Sequence, residues 1–304
     1  MIAIDLGSNT LRVLEYDCKT AKQIRAYEKV VKTADGLAEF GSINNDAIRR
    51  IISAIKEAQE QIDFYSQPLK AVTTEAVRRA SNSKTVLKQI KKETGISFEI
   101  ISGDEEARLT LLSVQNRLTK LHYASDTFVL VDIGGGSTEL IFHYGEETMS
   151  KSFPVGIVTI AQTYENLENI EQALPREMFD MQMFCAEMVV TKGKPNSFVA
   201  TAGTPTTVAA MKLGFNYETY DASKINGTSL QKNELDFYLK KLLSMPFTER
   251  EIAVGTGRSD LIAAGILIYK QLYTMLEFEN CVVIDDGLRE GVALEMCNEN
   301  PNKL

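Results

Sequence analysis

The sequence predicts an α/β protein made of two related domains. Three observations carry that expectation. The chain has 304 residues, about twice the ~150 that one domain typically takes. Apolar, β-branched runs alternate with segments whose apolar residues recur at helical spacing, the pattern of strands interleaved with helices. The chain also repeats itself at domain scale. Ile4-Asp5-Leu6-Gly7 and Val131-Asp132-Ile133-Gly134 are both apolar strands ending in Asp–apolar–Gly, each followed by a hydroxyl residue (Thr10, Ser137) and by a charge seven positions after the Asp (Arg12, Glu139).

Residues 2–5 and 11–16 read as a hairpin around Gly7-Ser8-Asn9, with a third strand near 23–32. Ile48, Ile51, Ile52, Ile55 and Ile62 then recur at helical spacing, with Lys56, Glu57 and Glu60 opposite. Residues 69–74 predict a strand, 75–80 a helical turn, and 84–94 a helix that Gly95 stops as a C-cap. A short buried strand is expected over 98–101 and a helix from 104 to about 118. The pattern restarts with strands at 128–132 and 139–144 around Gly134-Gly135-Gly136. Helices follow near 168–190, and a strand at 198–201 leads into a helix with Thr204 as N-cap and Pro205 as its first residue. Ser259 is expected to cap a helix over 260–276. Residues 281–284 give a last strand, and Asp285-Asp286-Gly287 turns into a final helix from Leu288. The polar tail after Cys297 is expected to fray. The boundary falls near 121–126, giving a first domain over 1–124 and a second over 125–287.

Composition excludes several classes. Lys+Arg number 33 against 41 Asp+Glu, a net charge of −8, which argues against a nucleic-acid coat or an anionic-membrane binder because those need a broad basic field. The longest apolar run, around 261–269, contains Gly265 and is far short of the ~20 residues of a bilayer span. The first residues have no basic stretch and meet Asp5 at once, unlike a signal peptide. Cys18, Cys185, Cys281 and Cys297 are scattered without a CxxC pair, which favours free, mostly buried thiols in a reducing cytoplasm. The two histidines, His122 and His143, form no zinc-type motif.

The residues able to do chemistry concentrate at the repeated loops. A Gly-containing turn after a strand exposes successive N–H groups that suit phosphate. Neither loop is a GxxxxGK[ST] or a GxGxxG loop, and the bland alternative is a tight hairpin. Asp5 and Asp132, at strand ends beside these loops, either hold Mg²⁺ or bond the turn's own N–H groups. Glu139, in an otherwise apolar strand, needs a metal, an Arg or a water as partner. Glu105 closes a Ser102-x-x-Glu105 capping box; the alternative is a general base of raised pKa that activates water. Arg12, Arg78, Arg79 and Arg258 sit at strand ends and loop–helix junctions, where a guanidinium suits phosphate oxygens. Lys84, Lys88, Lys91 and Lys92 form a basic helical face, either solvated or a track for a long polyanion.

Seven motifs in order resemble the exopolyphosphatase / guanosine pentaphosphate phosphohydrolase family: Ile4 to Arg12, Thr74 to Asn82, Ser102 to Arg108, Asp132 to Leu140, Phe153 to Gly156, Ala202 to Thr207, and Asp286 to Gly291. The resemblance implies an actin-like superfold of two ribonuclease H-like domains with the site in the cleft between them, the last helix (about 288–304) packing back on the first. It implies Mg²⁺-dependent release of terminal phosphate from inorganic polyphosphate, pppGpp or both. Glu105 then matches the catalytic carboxylate and Glu139 a second carboxylate of the site, Asp132 a metal-associated residue, and Arg78 and Arg258 phosphate contacts. Phosphate binding falls to Gly7, Ser8, Asn9, Thr10 and Arg12 in the first loop, and to Gly134, Gly135, Gly136, Ser137 and Thr138 in the second. Metal binding falls to Asp132 and Glu139, with Asp5 as a further candidate. The helical C-terminal region of many members is absent from this sequence, so its contacts do not transfer.

The competing readings are a kinase of the same superfold and a non-catalytic sensor of polyphosphate or guanosine penta- or tetraphosphate. The kinase needs an acceptor pocket that no motif supplies; retention of Glu105 and Glu139 argues against the sensor. A homodimer is left open, and preference between polyphosphate and pppGpp is not legible.

Overall fold

The computed structural model describes residues 1–123, 126–164 and 166–299. The chain divides into two compact units, residues 1–113 with those from 287 onward, and residues 114–286.

In the first unit, β1 (Ile2–Leu6) and β2 (Thr10–Asp17) form the expected hairpin, and β3 (Lys22–Val30) pairs antiparallel on its outer side. The hairpin register sets Asp5 directly opposite Arg12. After the short α1 (Leu37–Phe40), α2 (Asn45–Gln61) starts where the Asn44 side chain accepts the Ala47 N–H, the N-cap chemistry its first turn requires. Its isoleucine face is buried; Ile62 lies one residue past the helix in extended conformation. β4 (Leu69–Thr73) runs parallel to β1, followed by α3 (Glu75–Arg79) and α4 (Ser83–Thr94). α4 ends at Gly95 with φ 79°, the left-handed C-cap that glycine provides. β5 (Glu99–Ile100) completes the sheet order β3-β2-β1-β4-β5, and α5 (Gly103–Lys120) follows. The strand period of two divides the core. Ile2, Ile4 and Leu6 join the α2 and α4 cluster, whereas Ala3 faces Leu109 of α5 on the other side.

The second unit repeats that order. β6 (Thr127–Ile133), β7 (Thr138–Tyr144) and β8 (Glu147–Phe153) form an antiparallel meander. Then come α6 (Ile157–Thr163), α7 (Leu167–Glu177), α8 (Phe179–Lys192), β9 (Ser197–Thr201), α9 (Gly203–Leu213), α10 (Ala222–Ile225), β10 (Thr228–Gln231), α11 (Lys232–Ser244), α12 (Phe247–Val254), α13 (Ser259–Leu276) and β11 (Asn280–Val283). The sheet order is β10-β11-β9-β6-β7-β8. Its run β8-β7-β6-β9-β11 reproduces β3-β2-β1-β4-β5, three antiparallel strands continued by parallel ones, with β10 added antiparallel at the edge. This repeated ribonuclease H-like order makes the fold actin-like. The last helix, α14 (Leu288–Glu299), belongs to the first unit, burying Val292, Ala293 and Met296 with Ala3, Leu14 and Val72.

Several expectations are corrected. The strand near 98–101 is two residues long and exposed, because it sits at the sheet edge. Thr204 and Ser259 are not N-caps. α9 begins two residues earlier, entered through Ala202 at φ 73°. At α13 the Glu251 carboxylate accepts the Gly257 and Ser259 N–H groups, so the cap comes from another helix. β8 has no counterpart in the sequence reading. Asn298 and Glu299 continue α14, and the rest of the tail lies outside the described residues. Among the described residues no single helix is long and apolar enough to cross a membrane.

The cysteines are corrected as well. Cys185 and Cys281 are free and buried, and burial pushes the Cys185 thiol up to about 12. Cys18, just past β2, and Cys297 on α14 form a disulfide across 279 positions, their Cα atoms 5.6 Å apart. Such a long closed loop constrains the unfolded chain strongly, and native disulfides commonly contribute about 2–4 kcal/mol. A thiol reductant, or Cys297→Ser, is therefore expected to lower the urea midpoint of the first unit; an unchanged midpoint would show the bridge to be thermodynamically neutral.

Candidate functional site

The two repeated loops share a hydrogen-bond logic. In the first unit the Gly7 N–H donates to the Thr10 carbonyl at 3.0 Å, and in the second the Gly134 N–H donates to the Ser137 carbonyl at 2.9 Å. The loop carbonyls turn back into the protein. Asn9 O accepts from Val31 and Lys32, and Ser8 O from Ala34. Gly134 O accepts from Ile157 at 3.0 Å, and Gly135 O from Val158 at 2.8 Å and Thr159 at 3.3 Å, at the start of α6. The N–H groups of Ser8, Asn9, Gly135 and Gly136 donate to nothing among the described residues. Carbonyls engaged and N–H groups free is the polarity that an anion needs. Glycine at 134 is required by close approach: a Cβ there would stand 2.9 Å from the Ser137 carbonyl oxygen.

The charged pairs differ between the copies. Hairpin register sets Asp132 opposite Glu139 and Asp5 opposite Arg12. Glu139 is 1% exposed and Asp132 9%. Glu139 Oε1 accepts from the hydroxyls of Ser137 and Ser152, each at 2.7 Å. Two neighbouring buried carboxylates offer oxygen ligands to a cation. Among the described residues no group of three or more His, Cys, Asp or Glu gathers as a metal site. A pair of carboxylates suits Mg²⁺, which keeps waters and takes phosphate oxygens as further ligands. Asp5 suits it less well, since a guanidinium already stands opposite; Arg12 in turn pairs with Glu28 at 3.2 Å. Thr138, also fully buried, donates its hydroxyl to the Val155 carbonyl at 2.6 Å and serves the fold around the loop.

Glu105 lies in the first turn of α5. Ser102 Oγ caps the helix by accepting the Glu105 N–H at 3.1 Å, but the reciprocal half of the capping box does not form. The Glu105 carboxylate turns to Arg108 instead, accepting from Nε and Nη2, both at 2.7 Å. That hydrogen bonding holds the Glu105 carboxyl below its usual range, with burial and the Glu295 charge opposing. The raised pKa expected for it is thereby corrected: a guanidinium one turn along outweighs desolvation.

The arginines take different places. Arg78 ends α3, donates to the Ile101 carbonyl at 2.6 Å and to Glu75 at 2.5 Å, and lies 3.7 Å from Glu106. Arg258 precedes α13 and stacks over the Tyr217 ring. Its Nη2 passes 2.8 Å from where a Cβ on Gly203 would be, so the guanidinium lies at the N-terminus of α9. The four α4 lysines are exposed and make no ion pair among the described residues.

Sequence reasoning missed Ser152, Lys70 and Glu295, and named Gly156 in a motif without giving it a role. Ser152 was hidden with β8, whose alternation of Met149 and Phe153 with serines and threonine was its only signal. A Cβ on Gly156 would collide with the Gly135 carbonyl, so this glycine seats α6 on the loop.

A family model described as the Ppx/GppA phosphatase family matches residues 17–300. The chain is 27% identical over 300 residues to Exopolyphosphatase 1 of Mycobacterium leprae, covering 96% of this chain and 87% of that one. It is 25% identical over 319 residues to Exopolyphosphatase 2 of Mycobacterium tuberculosis, covering 97% of each. Among solved structures, the Ppx/GppA family member of Aquifex aeolicus superposes with TM-score 0.73 at 29% identity, covering 98% of each chain. An exopolyphosphatase of Cytophaga hutchinsonii superposes with TM-score 0.85 at 22% identity, covering 98% of this chain and 97% of that one, a likeness of fold.

Proposed function

The chain belongs to the Ppx/GppA phosphatase family, and from that premise we propose that it is a phosphoanhydride hydrolase that removes the terminal phosphate of inorganic polyphosphate. The observation that carries this reading is the second-unit loop, where free N–H groups of Gly135 and Gly136 stand beside the buried pair Asp132 and Glu139. Water attacks the terminal phosphorus, the bridging P–O bond breaks, and the shortened chain leaves with the electron pair. Glu105 orients the water and takes its proton, the work of a general base. The N–H groups of Ser8 and Asn9 in one loop and of Gly135 and Gly136 in the other bind phosphate oxygens, and Arg12, Arg78 and Arg258 add charge-assisted contacts. Asp132 and Glu139 would hold Mg²⁺, which when bound neutralises phosphate charge. The pppGpp terminal phosphate presents the same bond and is the second substrate to assay.

The test is inorganic phosphate release from polyphosphate of defined length and from pppGpp, each with Mg²⁺ and with a chelator. Release from polyphosphate without any acceptor, lost on chelation, is expected. Release that requires an acceptor would favour the kinase reading, and none from either substrate would overturn the hydrolase.

A further inference from the structure

Glu105 is one end of a chain of alternating charges that runs into the last helix. Arg108 Nη2 is shared: it donates both to Glu105 Oε1 at 2.7 Å and to Glu295 Oε1 of α14. Glu295 Oε2 in turn accepts from Lys70 Nζ of β4 at 2.8 Å. The Arg108 side chain is half exposed, whereas that of Glu295 is only 14% exposed. Glu295 is also fixed in place from both sides. One turn earlier, a Cβ on Gly291 would fall on the Leu109 carbonyl, so α14 seats against α5 at the residue after Arg108. Two residues later, Cys297 is bonded to Cys18.

We propose that Glu295 is a positioning residue for Glu105: by holding one edge of the Arg108 guanidinium from a fixed place on α14, it limits how far Arg108 neutralises the carboxylate. This rests on Glu105 being the base that activates water. A base held wholly by a guanidinium is a weak proton acceptor. A second carboxylate on the same guanidinium divides its hydrogen-bonding capacity and adds a negative charge that disfavours ionised Glu105. The groups acting on Glu105 are Arg108 on its own helix, Glu295 on α14 and Lys70 on β4, with Lys70 acting in the opposite sense to Glu295. Lys70 itself feels Glu99 and Glu299.

The full chain is assayed for kcat and KM on polyphosphate across pH as Glu295→Gln, Glu295→Asp, Lys70→Gln and Glu105→Gln. Glu295→Gln is expected to lower kcat by about three- to tenfold at unchanged KM and to move the acid limb of kcat to lower pH. Glu295→Asp restores most of both. Lys70→Gln moves the acid limb the other way, because it removes a positive charge. A structural ion pair would instead shift both limbs alike, in step with thermal stability, and that result overturns the inference. An unaltered Glu295→Gln profile with an inactive Glu105→Gln overturns this inference alone. A fully active Glu105→Gln overturns the reading beneath it as well.

Discussion

Glu105→Gln is expected to lower kcat on polyphosphate by about 10²–10⁴-fold, the range that a positioned general base contributes, while polyphosphate still binds. The substitution keeps the shape of the side chain and removes its capacity to take a proton. It is clean here because the carboxylate does not carry the helix: Ser102 Oγ accepts the Glu105 N–H, and that bond survives. The partner lost is Arg108, in a pair whose side chains are 34% and 52% exposed, and exposed pairs contribute little to stability. Turnover should thus fall without a matching change in thermal unfolding. Single-turnover phosphate release and equilibrium binding of polyphosphate, measured on the same variant, separate the two effects. Undiminished turnover would leave Glu105 as a surface ion-pair residue.

Gly156→Ala is expected to damage both stability and catalysis. The added Cβ would meet the Gly135 carbonyl and the Gly136 carbonyl carbon, and backbone atoms cannot rotate aside as a side chain can. Either α6 withdraws or the loop moves. In both cases the bonds from Ile157 to Gly134 and from Val158 to Gly135 stretch, and the loop's carbonyls are freed to turn toward the phosphate they should avoid. Overpacking of this kind costs about 1–3 kcal/mol, and a misplaced anion cradle should lower kcat/KM by about 10²-fold. Gly145→Ala is the control. It lies in the β7–β8 turn at φ 67° with nothing within 4 Å, so it carries conformational strain of about 1 kcal/mol but no collision, and activity should persist. If the two variants behave alike, the seating role of Gly156 is wrong.

The hairpins were legible because their information is local. The seven-residue spacing from Asp5 to Arg12 and from Asp132 to Glu139 is the register of a hairpin in which those residues face each other. Duplication of that spacing therefore reported duplicated topology. The helix of isoleucines and its stop before Gly95 were equally local. What escaped depends on partners distant in sequence. Glu251 caps α13 from another helix, and Cys18 meets Cys297 only once the sheet brings α14 to it. The Glu105 carboxylate left its capping box for an arginine that the motif contains but spacing could not rank. β8 escaped for a different reason: an edge strand of Thr, Ser, Lys and Glu has too little apolar signal to announce itself.

The first unit is assembled from two stretches of chain separated by the whole of the second. On a ribosome the sheet of β1 to β5 emerges early, but the helix that covers Ala3, Leu14 and Val72 is made only after residues 114–286 have been translated. At ~5–20 residues per second that interval is roughly 10–35 s. By its end the contiguous unit has everything it needs to fold, while its sibling has waited with one apolar face bare. The nascent chain thus completes its second half first, and its first half is the one that a chaperone has reason to hold.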